Sequence, residues 1–225
     1  MRFPAWLPLL AAAFLVLLAP LLFVELIAGG LGKLGLSPGT ASFLVMAIFA
    51  GGLINVPIRR VEHDEPVDVH PLAVFGLSDR WPQLRRTQRE TIICVNLGGC
   101  VIPVVLAAYE VARIANLGGG ALLSLALATG INTAVCYFVA RPMPGIGIVM
   151  PTLLSPLVAA TLALVLAPDQ APLLAFVAGV LGPLIGADLL HLKDVSKWPI
   201  GIMSIGGAGT FDGIVLSGIL AAYLA

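Results

Sequence analysis

The last residues of the chain, SIGGAGTFDGIVLSGILAAYLA (Ser204–Ala225), combine an aspartate, a flexible backbone and an apolar run. Asp212 follows three glycines, Gly206, Gly207 and Gly209. A charged side chain at the centre of a membrane helix costs about 2.5–3.5 kcal/mol on insertion scales. Non-helical backbone is tolerated at that depth only where it is buried or lines a cavity. The stretch therefore predicts a functional site at the start of a membrane span.

The composition of the chain indicates an integral membrane protein. Hydrophobic residues make up 59% of the 225 residues and charged residues only 11%, whereas about a quarter of the residues in soluble domains are charged. The formal net charge of zero points to no particular ligand. We expect one integral membrane domain over residues 1–225, with membrane lipid and no nucleic acid as partners.

Apolar segments close to the length of a membrane helix recur along the chain. They predict an all-α fold, a polytopic transmembrane helix bundle of about seven spans, with the last span broken by its Gly-rich segment. The predicted spans are Trp6–Ala28, Ala41–Val56, Thr91–Val111, Ala121–Ala140, Ile146–Ala167, Ala171–Leu192 and Trp198–Leu224. One long polar loop is expected at about 59–90.

The distribution of basic residues predicts the orientation. With seven spans, ten of the twelve Lys and Arg residues fall on one side, and only Lys33 and Arg113 fall on the other. Basic residues are enriched in cytoplasmic loops. We therefore expect a protein of the inner (plasma) membrane with a cytoplasmic N-terminus, a cytoplasmic polar loop and an external C-terminus.

Two aspartates are the candidate catalytic residues. Asp188 is predicted about one turn inside the cytoplasmic end of the sixth span, and Asp212 lies in the seventh. A straight helix from Trp198 would bury Asp212 about 20 Å deep, at 1.5 Å per residue. The two carboxylates can meet only if the backbone before Asp212 is partly extended or re-entrant, which glycines permit.

Further residues could line the same cavity and contact a substrate. Candidates are Gly206, Gly207, Gly209, Pro142, Pro144, Asn96 and Asn132. Dense prolines free backbone groups that an extended peptide could pair with, although simple kinking explains them equally well. For the glycines and Asp212 the alternatives are close helix packing and a helix N-cap.

Four motifs resemble an uncharacterised family of prokaryotic multi-pass membrane proteins, catalogued as a domain of unknown function. They are VNLGGCVIP (95–103), ARPMPGIGIVMP (140–151), GADLLHL (186–192) and SIGGAGTFDGI (204–214). The resemblance extends from about Phe49 to the end of the chain. It implies a related fold, and it implies no particular activity.

A looser resemblance is to intramembrane aspartyl proteases, namely presenilin, signal peptide peptidase and prepilin peptidase. These enzymes carry one aspartate near the cytoplasmic end of a span and a second in a Gly-x-Gly-Asp motif of another. Asp188 and Asp212 look similar. The motif GGAGTFD, however, puts two residues between the last glycine and the aspartate, and the Pro-Ala-Leu motif of presenilins is absent.

The residues leave three functions open. The first is an intramembrane aspartyl hydrolase that acts on a transmembrane or signal-like peptide. The second is a small secondary carrier or ion pathway in which the same aspartates bind a proton or cation. The third is a structural subunit whose polar residues fix packing. In each case we expect no cofactor and no metal, and the sequence does not indicate an oligomeric state.

Overall fold

The computed structural model describes residues 22–69, 86–143, 147–195, 201–207 and 213–225. The chain is mostly helical. The helices are α1 (22–33), α2 (Pro38–Gly52), α3 (Ile102–Ala115), α4 (Gly119–Val139), α5 (Leu154–Leu166), α6 (Ala171–Pro183), α7 (Leu190–Val195) and α8 (Gly213–Leu224). The strands are β1 (Asn55–Val69), β2 (Arg86–Asn96), β3 (Arg141–Met143), β4 (Gly147–Val149) and β5 (Gly201–Ile205).

Two of the helical regions begin or end in π-helical turns. Leu97–Val101 joins β2 to α3, and Leu184–Leu189 joins α6 to α7. With these turns, three continuous helical segments of the described residues are long and apolar enough to cross a membrane: Leu97–Ala115, Gly119–Val139 and Pro168–Asp194. The chain is thus a membrane protein in its composition and helix lengths, as predicted.

Helix α6 forms the centre of the bundle. Its residues Leu174–Val180 are all buried, and it packs against α3, α4, α5 and α8. The crossing with α8 is close because glycines meet there: a Cβ on Gly179 would lie 3.0 Å from the Cα of Gly218. Small residues at a crossing allow two membrane helices to approach closely.

The ends of α1, α3 and α8 meet at one end of the bundle. Lys33 Nζ donates a hydrogen bond of 2.6 Å to the backbone oxygen of Tyr223. Arg113 Nη1 donates to the backbone oxygen of Leu34 at 2.6 Å and to the buried carboxylate of Glu110 at 2.9 Å. These contacts fix the end of the bundle opposite to Asp188 and β5.

The prediction of an all-α fold is wrong for five of the described segments, the strands β1 to β5. β1 pairs with β2 in antiparallel orientation, and β5 pairs with β2 in parallel orientation, so that the order is β1-β2-β5. The predicted loop at 59–90 contains most of β1 and the start of β2, while residues 70–85 lie outside the described part. Val56, Ile58 and Val61 supply β-branched side chains to β1, which suit a strand better than a loop.

Three predicted spans also change. The second ends at Gly52 and continues as strand β1, and the third has strand β2 in place of its first turns. The fifth starts late, because strand β4 occupies residues at its predicted beginning and α5 starts only at Leu154. In the last predicted span, for which a break is expected, β5 and a turn precede α8. The first lies mostly outside the described residues.

A substitution of Gly98 tests the close contact between α2 and the first π-helical turn. A Cβ at this position would overlap the backbone of Ile48 and Gly52, and it would lie 2.8 Å from the carbonyl carbon of Gly51. We predict that Gly98→Ala costs about 1–3 kcal/mol, because overpacking forces the backbone to shift. Thermal melting in detergent measures this loss.

The matched control is Gly130→Ala in α4, where an added Cβ meets nothing within 4 Å. That variant should melt at or above the wild-type temperature, because alanine is up to about 1 kcal/mol better than glycine in a helix. Equal melting of the two variants would contradict the close packing of α2 on the π-helical turn.

Candidate functional site

Asp188 lies in a small pocket at the end of α6. The pocket has a volume of about 140 Å³ and is lined by residues from three parts of the chain. The π-helical turn supplies Asp188 and Ala187, the segment around β4 supplies Ile148 and Met150, and the start of α8 supplies Gly213 and Ile214. Asp188 is half-buried. Polar and apolar groups line the pocket about equally, and Thr152 is among the polar ones.

The π-helical turn sets the position of Asp188. Gly186 packs against α4, and a Cβ there would overlap the backbone oxygen of Thr133 and lie 2.9 Å from the Cβ of Cys136. His191 Nδ1 lies 3.1 Å from the backbone oxygen of Gly186 and 3.0 Å from that of Ala187. Isolated π-helical turns are frequent at functional sites. The turn here holds Asp188 by contacts on both sides of it.

Asp212 lies outside the described residues, and so does Gly209. Gly213, the residue after Asp212, is described and lines the pocket of Asp188. Helix α8 begins at Gly213. The structure therefore brings the residue after Asp212 into the pocket of Asp188 and does not describe Asp212 itself.

Gly206 and Gly207 form a turn directly after β5. Both have positive φ, 81° and 49°, a backbone conformation that glycine adopts without strain. A Cβ on Gly206 would lie 2.6 Å from the Cβ of Cys100 and 2.7 Å from its backbone nitrogen. Among the described residues these glycines serve a tight turn against the first π-helical turn, and no substrate contact is needed to explain them.

Asn96 is a structural residue among its described neighbours. Its Nδ2 donates to the backbone oxygen of Gly52 at 2.8 Å and to Oδ1 of Asn55 at 3.0 Å. Its Oδ1 accepts a hydrogen bond from the backbone nitrogen of Gly99 at 2.7 Å. The side chain is fully buried. It joins β1, β2 and α2, and lies apart from Asp188.

Asn132 belongs to a buried polar network that joins four helices. Its Nδ2 donates to the backbone oxygen of Ala178 at 2.9 Å and to Ser155 Oγ at 3.0 Å. Ser155 and Ser217 share a hydrogen bond of 2.6 Å, and all three side chains are fully buried. The network connects α4, α5, α6 and α8. It lies within the bundle and does not line the pocket of Asp188.

Sequence reasoning missed Ser155 and Ser217, because it considered the carboxylates and amides of the spans and left out single hydroxyls. The signal that could have found them is a single hydroxyl in an apolar helix, since a buried hydroxyl needs a hydrogen-bond partner. Ser217 also lies five residues after Asp212, on α8, whose first residues line the pocket of Asp188. The network therefore connects Asn132, a predicted substrate-binding residue, to α8.

The prolines of the predicted substrate edge lie partly in a short hairpin. Pro142 is in β3 and pairs with Ile148 of β4, which lines the pocket. Pro144 lies outside the described residues. Met203 of β5 packs against the same Ile148. The hairpin and β5 thus meet beside the pocket, as one wall of the site.

A comparison with protein-family profiles gives a match. A family profile described as "Protein of unknown function (DUF1614)" matches residues 49–224. No curated protein and no solved structure matches the chain. The match covers every described element of the site, from β1 to α8. The chain therefore belongs to the DUF1614 family.

Proposed function

We propose that the chain is an intramembrane aspartyl hydrolase that cleaves peptide bonds, with Asp188 and Asp212 as its catalytic pair. One observation carries the proposal: Gly213, the residue after Asp212, lines the pocket that contains Asp188. Consecutive Cα atoms are about 3.8 Å apart. Asp212 is accordingly tied by one peptide bond to the wall of the pocket.

The path of the chain before α8 supports this pairing. Gly201–Ile205 is a strand, and the turn of Gly206 and Gly207 follows it. A helix from Trp198 would carry Asp212 about 20 Å along the span at 1.5 Å per residue, far from the end of α6. The strand instead runs beside β2, so that α8 can begin at the level of Asp188.

A pair of aspartates at close range would share one proton, since two negative charges in a poorly hydrated pocket repel each other strongly. The ionised carboxylate accepts a proton from water while the water oxygen bonds to the peptide carbonyl carbon. The protonated partner donates its proton to the carbonyl oxygen. The C–N bond then breaks: the leaving nitrogen takes the proton that came from water, and one hydroxyl of the tetrahedral intermediate returns a proton to the second aspartate.

The walls of the pocket favour a peptide that comes from the membrane. Ile148, Met150 and Ile214 form the apolar part of a lining that is about half polar, and this apolar part accepts the side chains of a transmembrane or signal-like peptide. The volume of about 140 Å³ is small for a helix and suits a locally extended segment. We propose such a peptide as the substrate.

The site is proposed to lie on the cytoplasmic side of the bacterial inner membrane. Lys33 and Arg113 are the two basic residues assigned to the outside. Lys33 contacts the end of α8 at Tyr223, and Arg113 contacts Leu34, the residue after Lys33. Asp188 lies at the opposite end of the bundle, near the C-terminal end of the long helix Pro168–Asp194. The excess of basic residues at the Asp188 end supports a cytoplasmic location, because such residues are retained there.

Substituting the aspartates tests the proposed chemistry. We predict that Asp188→Asn and Asp212→Asn each abolish cleavage, because an amide can neither accept a proton from water nor replace the shared proton. The measurement is quantitative proteomics of membrane peptides in cells that express wild type or variant. Peptides that accumulate as intact precursors in both variants identify the substrates.

The matched control is Asp169→Asn, at an exposed turn between α5 and α6. Cells with this variant should show the wild-type peptide pattern. If the two catalytic variants also leave the pattern unchanged at equal expression, the hydrolase proposal is wrong. A proton- or cation-dependent flux into vesicles that the same variants remove would favour the carrier instead.

The orientation has its own test. We predict that alkaline phosphatase fused after Ala225 is active and that green fluorescent protein at the same site is dark, because the C-terminus is external. Fusions after Arg141 should give the reverse, since that position follows the fourth span. A fluorescent C-terminal fusion would contradict the seven-span topology.

A further inference from the structure

A large cavity lies away from the proposed catalytic site. It is a groove between α2 and α3 with a volume of about 770 Å³. Its walls are mostly apolar and include Phe43, Ala47, Val105 and Leu106. Phe43 and Val105 are 70% and 63% exposed. The groove therefore opens sideways, towards the lipid around the bundle.

One end of the groove is polar. Ser37, Thr40 and Tyr109 line it there, and Ser37 Oγ and Thr40 Oγ1 lie 2.9 Å apart. Helix α2 begins at this end, capped by Ser37. The first turn of a helix carries a partial positive charge that favours anions. Hydroxyl donors and the helix start thus face the same mouth.

Arg113 adds a positive charge to this mouth. Its Nη1 holds the carboxylate of Glu110 and the backbone oxygen of Leu34. Its Nη2 lies on the side of Gly35, 3.6 Å from where a Cβ on that glycine would be, and Gly35 lines the groove. Lys33 lies two residues earlier and is exposed. Lys33 Nζ is held by the backbone oxygen of Tyr223, whereas Arg113 Nη2 stays on the side of Gly35 and can donate to an anion there.

The length of the groove fits a lipid chain. From Ser37 to Ala47 the groove follows α2 for about 15 Å, at 1.5 Å per residue. That is about half of the 30 Å hydrocarbon core, or the depth of one leaflet. A transmembrane helix would need a groove of twice this length. An acyl chain that enters from the polar end needs no more than the groove offers.

We propose that this groove is a binding site for an anionic phospholipid, with the phosphate at Arg113 and the start of α2 and one acyl chain along Ala47 and Val105. The proposal is independent of the proposed catalytic pair. Guanidinium groups bind phosphate through paired, charge-assisted hydrogen bonds. Desolvation by the neighbouring apolar walls strengthens that contact.

The experiment is thermal melting of the full chain in detergent, with added phosphatidylglycerol or phosphatidylcholine of the same acyl chains. At about ten times the dissociation constant, phosphatidylglycerol should raise the melting temperature of the wild type by about 3–6 °C. Phosphatidylcholine should raise it by clearly less. Equal shifts from the two lipids would overturn the proposed headgroup site.

Filling the groove should remove the response. Ala47→Trp places an indole on the path of the acyl chain and should abolish the shift with phosphatidylglycerol. The control Ala50→Trp lies on the same helix, is exposed and does not line the groove, so it should respond as the wild type does. Val105→Trp fills the opposite wall and replaces Ala47→Trp if that variant does not fold. A wild-type response from the folded groove-filling variant would overturn the proposal.

The headgroup contact is tested by the double variant Glu110→Gln/Arg113→Gln, which leaves no unpaired charge in the buried position. It should reduce the shift with phosphatidylglycerol to that with phosphatidylcholine. An undiminished preference for phosphatidylglycerol would show that Arg113 does not bind the phosphate, and would overturn that part of the site.

Discussion

The parallel pairing of β5 with β2 is the constraint on which the proposed site depends. Thr91 to Val95 align with Gly201 to Ile205, so the backbone groups of a non-helical segment find partners. Unpaired backbone groups in hydrocarbon cost several kcal/mol each. Because β5 is held beside β2, the chain turns at Gly206 against Cys100 and α8 starts at the pocket of Asp188. The bundle around α6 supports this arrangement through the network of Asn132, Ser155 and Ser217.

The sequence predicted the long helices well and the strands poorly. Gly119–Val139 and Pro168–Asp194 lie close to their predicted spans, because long, uncharged apolar runs have few alternatives. The run TIICVN (91–96) was assigned to a helix and is part of β2. A short apolar run suits a buried strand and a helix equally, and periodicity cannot separate them. Pairing with β1 determines that this run is a strand. The polar residues of β1 predict a loop when the sequence is considered alone.

The sequence could predict site residues only where a polar side chain in an apolar run carries a free-energy cost that suggests a function. Asp188 stood out because a carboxylate in an apolar run is expensive, and it does line a pocket. Asn96 and Asn132 stood out for the same reason, yet their hydrogen-bonding groups bind the protein itself. The sequence cannot distinguish these cases, because the partners are distant: Ala178 lies 46 residues from Asn132. Whether Asp212 faces Asp188 stays a prediction.

A double-mutant cycle on the two aspartates tests the central claim without a known substrate. Melting temperatures in detergent are measured for the wild type, Asp188→Asn, Asp212→Asn and the double variant. If the carboxylates share one pocket, each amide relieves their repulsion, so each single variant should melt at or above the wild-type temperature. The double variant should then add little, because the two residues act as a unit. Single variants that both melt well below wild type, with additive losses in the double variant, would contradict a shared site.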